Sequence, residues 1–465
     1  MKKLLALILA IAMLATLAAC GSTGGDASTP STPAADPSGT ATGDQAAQPS
    51  AGGELYYLNF KPEIAPVYDE IAAAYEAETG VKLHVVTAAS GTYEQTLKSE
   101  IAKADAPVLF QINGPKGYAN WKDYCADLSG TELYQHLTDK GLAITDGDKV
   151  VGIPYVVEGY GIIYNNAIME KYFALDGAKA KSMDEIRSFQ KLKEVVEDMT
   201  AKKDQLGIKG VFASTSLKPG EDWRWQTHLA NLPIHYEFEA NNVDLSTDAT
   251  KEITFQYGDN YKNIFDLYLN NSTVDPKLLG SKQVADSMAE FALGQCAMVQ
   301  NGNWAWSQIA EVEGNTVKEE DIKFMPIYIG AEGEESQGIC VGTENFFAIN
   351  SQAPADKQKL AADFIYWLYS SDTGKEFVTN KLGFIAPFDT FAEDERPTDP
   401  LAREVSAWMS KEGVSSVPWS AFLVFPSQTF KDDFGAALLQ YAQGTKTWDD
   451  VKTLVVDEWK TESSM

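Results

Sequence analysis

The sequence predicts an α/β protein of two lobes with a helical C-terminal region. Three observations indicate this class. Short apolar runs alternate with segments of helical periodicity through most of the chain, the C-terminal part carries mainly helical patterns, and 465 residues are enough for more than one hydrophobic core. Strands that alternate with helices typically form a sheet of parallel strands whose two faces are covered by helices.

The alternation starts at the beginning of the apolar part of the chain. Apolar runs over residues 55–60, 81–86 and 107–112 predict three strands. Between the first two runs the apolar residues recur at helical spacing, and Gly80 provides a stop for that helix. A second helix is predicted over 92–103. This order of elements is typical of a parallel sheet.

The same pattern returns in the middle of the chain. A helix over 189–200 precedes a predicted strand over 210–213, and a helix over 284–293 precedes a strand over 296–300. A further strand is predicted over 322–327. In the C-terminal part, two apolar faces at helical spacing predict packed helices. The first face comprises Leu360, Phe364, Trp367 and Leu368, and the second comprises Phe430, Phe434, Leu438 and Tyr441.

The N-terminus has the layout of an export signal. Two lysines precede an almost unbroken apolar run over residues 4–17, which is too short to span a bilayer comfortably. The run ends in LAAC followed by glycine, which resembles the lipobox of bacterial lipoproteins, where the cysteine is acylated and the chain is cut just before it. We therefore expect residues 1–20 to be a lipoprotein signal peptide and Cys20 to be the lipidation site.

The segment that follows is expected to be a disordered tether. Residues 21–53 contain no Leu, Ile, Val, Met or aromatic residue and so cannot bury apolar surface. A lipid anchor at one end of such a tether would hold a folded domain at the outer face of the cytoplasmic membrane, which is the periplasmic side if the host has two membranes.

Charge and cysteine usage exclude several classes of function. The chain has 66 acidic against 38 basic residues, a net charge of -28, whereas nucleic-acid binders need a basic stripe. The four cysteines are far apart and form no CxxC pair, so neither a zinc ribbon nor a dense disulfide framework is predicted. With four histidines, no metal site and no cofactor is expected. Cys125, Cys296 and Cys340 are interpreted as buried, inert thiols.

Motifs of common catalytic chemistry are missing from the sequence. There is no GxxxxGK[ST] or GxGxxG loop for phosphates, no GxSxG nucleophile elbow and no HExxH metal motif. Glycosidases use two carboxylates, but among 66 acidic residues a nearby pair arises easily by chance. No catalytic residue is therefore predicted.

Aromatic residues beside polar groups follow several predicted strands. They occur in the segments 111–115, 154–160, 221–225 and 301–306. In doubly wound folds, ligands bind in the loops at the carboxyl ends of strands. Flat aromatic faces pack on the C–H faces of sugar rings, while carboxylates and amides bind hydroxyls. A single Trp in such a segment is as consistent with core packing as with ligand contact, and of Trp304 and Trp306 we expect one in the cleft and one buried.

Specific segments resemble maltose-binding protein and its relatives. Residues 291–307 (FALGQCAMVQNGNWAWS) match that family's F-x-x-G-x-x-A-M followed by N-G-x-W. The segment 152–165 is similar to the family's first interdomain crossing, and 362–374 to its late helix pair. The matches run in the same order from Leu55 to Trp459, so that the resemblance covers the whole predicted globular part.

The resemblance implies an extracytoplasmic solute-binding protein of a carbohydrate ABC importer. Such proteins have a two-lobe, periplasmic-binding-protein-like fold with hinge crossings, and they close on a ligand. The first lobe is then expected at 54–158 plus 330–384, and the second at 159–329 plus 385–465. The expected partners are a carbohydrate of several units, the permease subunits of the importer, and the membrane through the lipid anchor. The protein is expected to act as a monomer without nucleic acid.

The resemblance also implies site residues, position by position. Glu158 corresponds to a hinge-side carboxylate, Glu221 and Trp223 to an acidic and aromatic pair, and Trp304 to a stacking Trp. The loop after the third strand departs from the maltose-binding pattern, which argues against maltose itself. Glu344, near the second crossing, is either a further contact or a surface residue. The predicted ligand-binding residues are Lys61, Ser90, Asn113, Glu158, Glu221, Asp222, Trp223, Asn303, Trp304 and Trp419.

Two alternatives stay open at this point. The same fold could bind a polyamine, an amino acid or a peptide, since an acidic cleft favours cations, although several adjacent Trp residues favour a sugar. An anchored glycoside hydrolase would use Glu158 or Glu221 as a catalytic carboxylate. A binding protein without enzymatic activity is the leading hypothesis.

Overall fold

The computed structural model describes residues 53–89, 91–245, 247–392, 394–419 and 424–464. The predicted signal peptide, the tether up to residue 52, Cys20 and Ser90 lie outside these residues. The strands are β1 (Glu54–Asn59), β2 (Lys82–Thr87), β3 (Leu109–Asn113), β4 (Ile144–Asp146), β5 (Lys149–Pro154), β6 (Glu158–Asn165), β7 (Met298–Gly302), β8 (Ile322–Met325), β9 (Gln337–Gly342), β10 (Asn345–Ile349) and β11 (Ser415–Pro418).

Helices cover both sheets that these strands form. They are α1 (Ala65–Thr79), α2 (Tyr93–Glu100), α3 (Gly114–Trp121), α4 (Glu132–Gln135), α5 (Asn166–Phe173), α6 (Phe189–Ala201), α7 (Lys203–Leu206), α8 (Ala230–Ala240), α9 (Gly258–Asn270), α10 (Val284–Ala292), α11 (Ala305–Ala310), α12 (Ala355–Ser370), α13 (Asp372–Glu376), α14 (Pro400–Met409), α15 (Gln428–Ala442) and α16 (Trp448–Ser463). Arg224–Leu229 and Phe377–Lys381 form π-helical turns. Within the described residues, no helix is both long enough and apolar enough to cross a membrane.

The first sheet has the strand order β2-β1-β3-β10-β5-β4. As predicted, β1 runs parallel to β2 and to β3. The other half of the sheet is antiparallel, because β10 returns from the distant part of the chain and runs opposite to both β3 and β5. The sheet is therefore mixed, and the prediction of a parallel sheet holds only for its N-terminal half. We call this sheet, with its helices, the first lobe.

Both faces of the first sheet are buried, which confirms the predicted covering by helices. Tyr57 and Phe347 point to one face, where they pack with α1 and α12. Their neighbours Leu58 and Phe346 point to the other face, where they pack with the helix α2. Strand side chains alternate between faces, so consecutive apolar residues in one strand supply two separate cores.

The second sheet has the order β11-β9-β6-β7, with β8 also paired to β6. Its faces are covered by two cores, with Ile162 in one and Ile163 in the other. The C-terminal helices α15 and α16 pack on the first of these, through residues that include Phe434 and Trp459. We call this sheet, with its helices, the second lobe.

The backbone passes between the lobes three times. Val156 packs in the first lobe and Tyr160 in the second, so the first crossing lies between them. The second follows β9, since β9 pairs in the second sheet and β10 in the first. The third lies between Phe388, which packs in the first-lobe core, and Leu401, which packs in a second-lobe core. Before it, the backbone N–H of Val157 donates to the carbonyl of Ile385 over 2.8 Å, so the chain at Ile385 lies beside the first crossing. The lobe bounds 54–158 plus 330–384 and 159–329 plus 385–465 stay a prediction.

Most predicted elements occur within a few residues of their predicted bounds. The helix α1 ends at Gly80, which has a left-handed φ of 73° and whose N–H donates to Glu76, as its position predicts. The strand predicted over 210–213 is different, because only an isolated bridge forms at Phe212. A Cβ on Gly210 would lie 2.4 Å from the backbone of Ser272, so the chain there runs too close to its neighbour for a regular ladder.

Candidate ligand-binding site

A cavity of about 1120 Å³ lies between the two lobes. The first lobe contributes the segments directly after β1 and β3 and the helices α2 and α3. The second lobe contributes the segment 220–227, Trp304 and the start of α15. The carboxyl ends of β1 and β3 therefore face the cavity, as expected for ligand-binding loops of an α/β sheet.

Lys61 and Glu158 form a buried ion pair behind the cavity wall. Asn59 at the end of β1 is buried, and its amide donates to the carbonyl of Lys61 over 2.9 Å, which fixes the turn that carries the lysine. Lys61 Nζ lies 2.8 Å from Glu158 Oε1 and 3.6 Å from Glu63. Burial disfavours the charged lysine, but the carboxylates of Glu158 and Glu63 outweigh this cost and hold the pKa of Lys61 above its ordinary value.

Two tryptophans of the second lobe form an aromatic surface at one end of the cavity. The rings of Trp223 and Trp304 are 5.8 Å apart and tilted by 44°. His228 packs between them and the core, 4.9 Å from Trp223 and 5.3 Å from Trp304. From the first lobe, Lys61 Nζ lies 5.6 Å from the Trp304 ring. Residues of both lobes therefore meet at this surface.

Gly302 allows Trp304 to take this position. The indole lies directly over the backbone at the end of β7, where a Cβ on residue 302 would be 2.2 Å from the ring. Only a residue without a side chain fits below the ring. The N-G-x-W pattern thus has a structural basis, since its glycine makes room for its tryptophan.

Arg224 stacks beneath the aromatic surface. Its guanidinium lies 3.8 Å from the Trp223 ring, and its Nε donates to Asn301 Oδ1 over 2.9 Å. Burial lowers the pKa of Arg224 to about 9, which the carboxylates of Glu221 and Glu63 oppose. The neighbouring Trp225 points the other way, into the core, where its Nε1 donates to the carbonyl of Ser216.

The first-lobe wall combines an indole with carboxyl and amide groups. Tyr93 fixes α2 to the sheet, since its hydroxyl accepts from the backbone N–H of Gln111 over 2.7 Å. This places the next residue, Glu94, at the cavity, where it accepts from Trp121 Nε1 over 2.9 Å. Burial raises the pKa of Glu94. Such a mixture of flat apolar and polar groups is typical of small-ligand sites.

Two carboxyl groups of the wall have strongly raised pKa values. Glu344 lies at the second crossing and accepts from Asn113 Nδ2 over 2.9 Å, and burial raises its pKa to about 7. Asp222 lies against α15, where a Cβ on Gly435 would be 1.9 Å from its Oδ2. Burial raises the pKa of Asp222 also to about 7.

Six of the ten predicted residues line the cavity, namely Lys61, Asn113, Glu221, Asp222, Trp223 and Trp304. Glu158 lies behind Lys61. Asn303 faces the crossing strand, because its Oδ1 accepts from the backbone N–H of Gly159 over 2.9 Å. Trp419 is 2 % exposed and packs in the second-lobe core on Tyr160 and Gly342, so it is not part of the cavity wall. Ser90 lies outside the described residues.

Two of the lining residues also have local structural roles. The carboxylate of Glu221 accepts from the backbone N–H of Val284 over 3.2 Å, at the start of α10. Lys61 is neutralised by its ion pair. Trp306, the neighbour of Trp304, does not line the cavity; it is partly buried and packs against the second-lobe core.

Several lining residues were missed by sequence reasoning. Arg224 stands in the segment 221–225 but was not selected, although a cation between two tryptophans is a visible signal. Glu94, Trp121 and Lys431 line the cavity without any local pattern that marks them. Lys431 comes from α15, far along the chain from the other groups, so only the tertiary fold brings it to the site.

Two lobes joined by three crossings, with a cavity between them, define a binding protein of the hinged, two-lobe class. The family model of bacterial extracellular solute-binding proteins matches residues 70–404. The chain belongs to this family.

Solved structures of the same architecture support the fold. A chitin oligosaccharide binding protein matches with a TM-score of 0.67 at 17 % identity, over 90 % of this chain and 100 % of that one. RafE in complex with raffinose matches with a TM-score of 0.64 at 17 % identity, over 88 % and 99 %. Maltose-bound MalE3 of T. maritima matches with a TM-score of 0.63 at 15 % identity, also over 88 % and 99 %. These similarities extend over the whole two-lobe fold.

Proposed function

We propose that this protein captures a sugar or oligosaccharide in the interlobe cavity and delivers it to the permease of an ABC importer. The observation that carries the proposal is the tilted pair Trp223 and Trp304 on the wall of a large polar cavity. Small-ligand sites typically have ~300–1,000 Å³, so a cavity of about 1120 Å³ suits a ligand of several sugar units.

Open hydrogen-bonding groups beside the tryptophans support a sugar. The indole Nε1 of Trp304 and the amide oxygen of Gln226 are buried and meet no hydrogen-bond partner among the described residues. Both residues line the cavity. Buried polar groups are normally paired, so these two atoms are suited to hydroxyl groups of a ligand. The names of the three matching structures, which mention chitin oligosaccharide, raffinose and maltose, agree with this proposal.

Ligand capture is proposed to stabilise the closed arrangement of the lobes. Lys61 of the first lobe already approaches Trp304 of the second, and a Cβ on Gly91 would lie 2.8 Å from the carbonyl of Gly220 across the cavity mouth. A ligand that contacts both walls binds the closed state better and shifts the population toward it. Binding without catalysis is what the family and the fold support.

A cationic ligand, the first alternative, is disfavoured by the cations around the aromatic surface. Burial lowers the pKa of His228, and the charges of Arg224, Lys61 and Lys431 lower it further. These three cations therefore lie close to one histidine at one end of the cavity. A polyamine at this end would be repelled by Arg224, whereas the carboxyl groups elsewhere on the wall would attract it, so polyamines are included in the binding screen.

The test is a binding screen by intrinsic Trp fluorescence and melting temperature. Neutral and acidic oligosaccharides, polyamines and short peptides are compared with the wild-type protein. We expect a saccharide to raise the melting temperature and Trp223→Ala to weaken its binding by ~10-fold or more. Trp408→Ala removes an indole from the second lobe away from the cavity and serves as the control. A response to polyamines or peptides and to no saccharide would refute the proposal.

We further propose that the protein is held at the outer face of the cytoplasmic membrane by acylation of Cys20. The lipobox-like sequence and the apolar run before it support this proposal. Expression in a bacterial host with labelled palmitate should place the label in the wild-type chain and in the membrane fraction. Cys20→Ala should carry no label and leave that fraction. Equal labelling of the two chains would contradict the proposed anchor.

A further inference from the structure

Arg224 is held in one orientation by contacts on three sides. Its Nε donates to Asn301 Oδ1 over 2.9 Å, its carbonyl accepts from Gln300 Nε2 over 2.8 Å, and its guanidinium lies 3.8 Å from the Trp223 ring. The residue is 3 % exposed. The side chain is thus a rigid part of the cavity wall.

One donor of this guanidinium is unpaired among the described residues. Nη1 is buried and has no hydrogen-bond partner, and no carboxylate of the described residues forms an ion pair with Arg224. A buried charge without a direct partner is costly, which is the cause of its lowered pKa. A group that supplies the missing negative charge would therefore be bound strongly at this position.

The carboxyl groups around the cavity already have partners. Glu63 forms an ion pair with Lys61. The other five carboxyl groups each accept a hydrogen bond from an uncharged donor: Glu94 from Trp121, Glu221 from Val284, Asp222 from Gln226, Glu344 from Asn113 and Asp432 from Gln428. None of these carboxyl groups bonds to Arg224, although Glu221 and Glu63 lie near enough to favour its charge.

Two lysines lie near the same aromatic surface. Lys61 and Lys431 lie close enough to His228 to lower its pKa together with Arg224. Lys61 is already paired with Glu158 and Glu63, and the carboxylates of Glu344, Glu94 and Asp432 act on Lys431. Arg224 is therefore the cation at this surface with a buried donor that no described residue binds.

We propose that the ligand is an acidic saccharide, whose uronic-acid carboxylate binds Nη1 of Arg224 while its ring packs on Trp223 and Trp304. This inference depends on the sugar-binding function proposed above. Nε is occupied by Asn301, whereas Nη1 has no partner among the described residues, and a charged donor forms its strongest hydrogen bond with a carboxylate. A neutral saccharide would leave the charge of Arg224 without a partner.

Paired ligands test this inference by isothermal titration calorimetry. Short oligogalacturonides, oligomannuronides and glucuronic-acid-substituted xylo-oligosaccharides are titrated beside the same compounds with their carboxyl groups reduced to alcohols. For at least one pair, the acid should bind ~10- to 100-fold more tightly than its reduced form, and its affinity should fall with added salt.

Variants of Arg224 assign the effect to this residue. Arg224→Gln should abolish the difference in affinity between the acid and its reduced form, and Arg224→Lys should retain part of that difference, because it keeps the charge. Arg187→Gln, an exposed arginine of the second lobe outside the cavity, should behave as the wild type. The melting temperature of each ligand-free variant shows that it is folded.

The outcomes separate this inference from the proposed function. Equal or tighter binding of the neutral forms overturns the acidic class and leaves sugar binding intact. A preference for the acid that persists in Arg224→Gln overturns the role of Arg224. Binding of no saccharide, neutral or acidic, refutes the proposed function and this inference together.

Discussion

Replacing Gly302 with alanine should displace Trp304 from the cavity wall. In the structure, a Cβ at this position would lie 2.2 Å from two atoms of the indole and 2.5 Å from a third. Carbon atoms in contact are ~3.5–4.0 Å apart, so the ring has to move by more than about 1 Å. The backbone cannot yield easily, because Gly302 is paired with Tyr160 in the second sheet.

The expected effect on binding is larger than the effect on folding. Overpacking of this kind costs ~1–3 kcal/mol of folding free energy, a part of which is relieved because the indole borders an open cavity. A tryptophan that anchors a ligand contributes ~2 kcal/mol or more, so its displacement should weaken saccharide binding by ~30-fold. The cavity would keep its polar groups and Trp223 but lose Trp304 from the aromatic surface.

Calorimetric titration with a saccharide found in the binding screen, together with near-ultraviolet circular dichroism of the free protein, measures both effects. Gly130→Ala is the matched control, since Gly130 is exposed and a Cβ there would meet no atom within 4 Å. Wild-type affinity in Gly302→Ala, with an unchanged aromatic dichroism signal, would refute the reasoning that this glycine positions the indole.

Three further predictions concern ionisable groups. Glu158→Gln leaves Lys61 without its partner at 2.8 Å, and the free energy of unfolding in urea should fall by ~3–5 kcal/mol. Glu344 has a pKa raised from 4.5 to about 7 in the folded state, so its contribution to stability is fully present below pH 4.5 and is lost as the pH rises to about 7. In urea titrations, the free energy of unfolding of Glu344→Gln should therefore decline less over this pH range than that of the wild type. Burial raises the pKa of the thiols of Cys296 and Cys340, so in the described part of the chain both should react with Ellman's reagent only after denaturation.

Each of these measurements has its own control or contrary result. Asp363→Asn breaks an exposed ion pair with Lys359 and should lower the free energy of unfolding by less than ~1 kcal/mol. If Glu158→Gln lowers it by no more than this control, burial does not strengthen the pair between Lys61 and Glu158. Identical pH profiles of wild type and Glu344→Gln would show that this carboxyl titrates normally. Rapid labelling of the native protein at Cys296 or Cys340 would show that the second-lobe core opens readily.

Local patterns predicted the elements well because each pattern depends on neighbouring residues. Apolar periodicity and Gly80 were sufficient for β1 and α1. Pairing between distant segments is not written into any local pattern. For that reason the insertion of β10, the mixed direction of the first sheet and the irregular chain at 210–213 appeared only in the structure.

In the candidate site, too, local patterns predicted some residues, whereas contacts between distant segments decided the others. Trp223 and Trp304 follow from aromatic residues beside polar groups after a strand, and both line the cavity. Glu158 matches the family pattern but lies behind Lys61, a contact that needs the folded turn at Asn59. Trp419 was placed by a loose alignment, and the sequence carries no signal that Gly342 leaves space for it in the core. Whether the lining residues bind a ligand stays a prediction.

The position of β10 has a consequence for how the chain acquires its structure. This strand lies in the middle of the first sheet, between β3 and β5, yet it is made after the strands β6–β9 of the second sheet. Until Asn345–Ile349 arrives, β3 and β5 each present an open edge to which another chain could add. Contacts between residues so distant in sequence also form slowly, because a large loop has to close first. The first sheet therefore stays open while four strands of the second are made, and during that interval its edges are exposed to other chains.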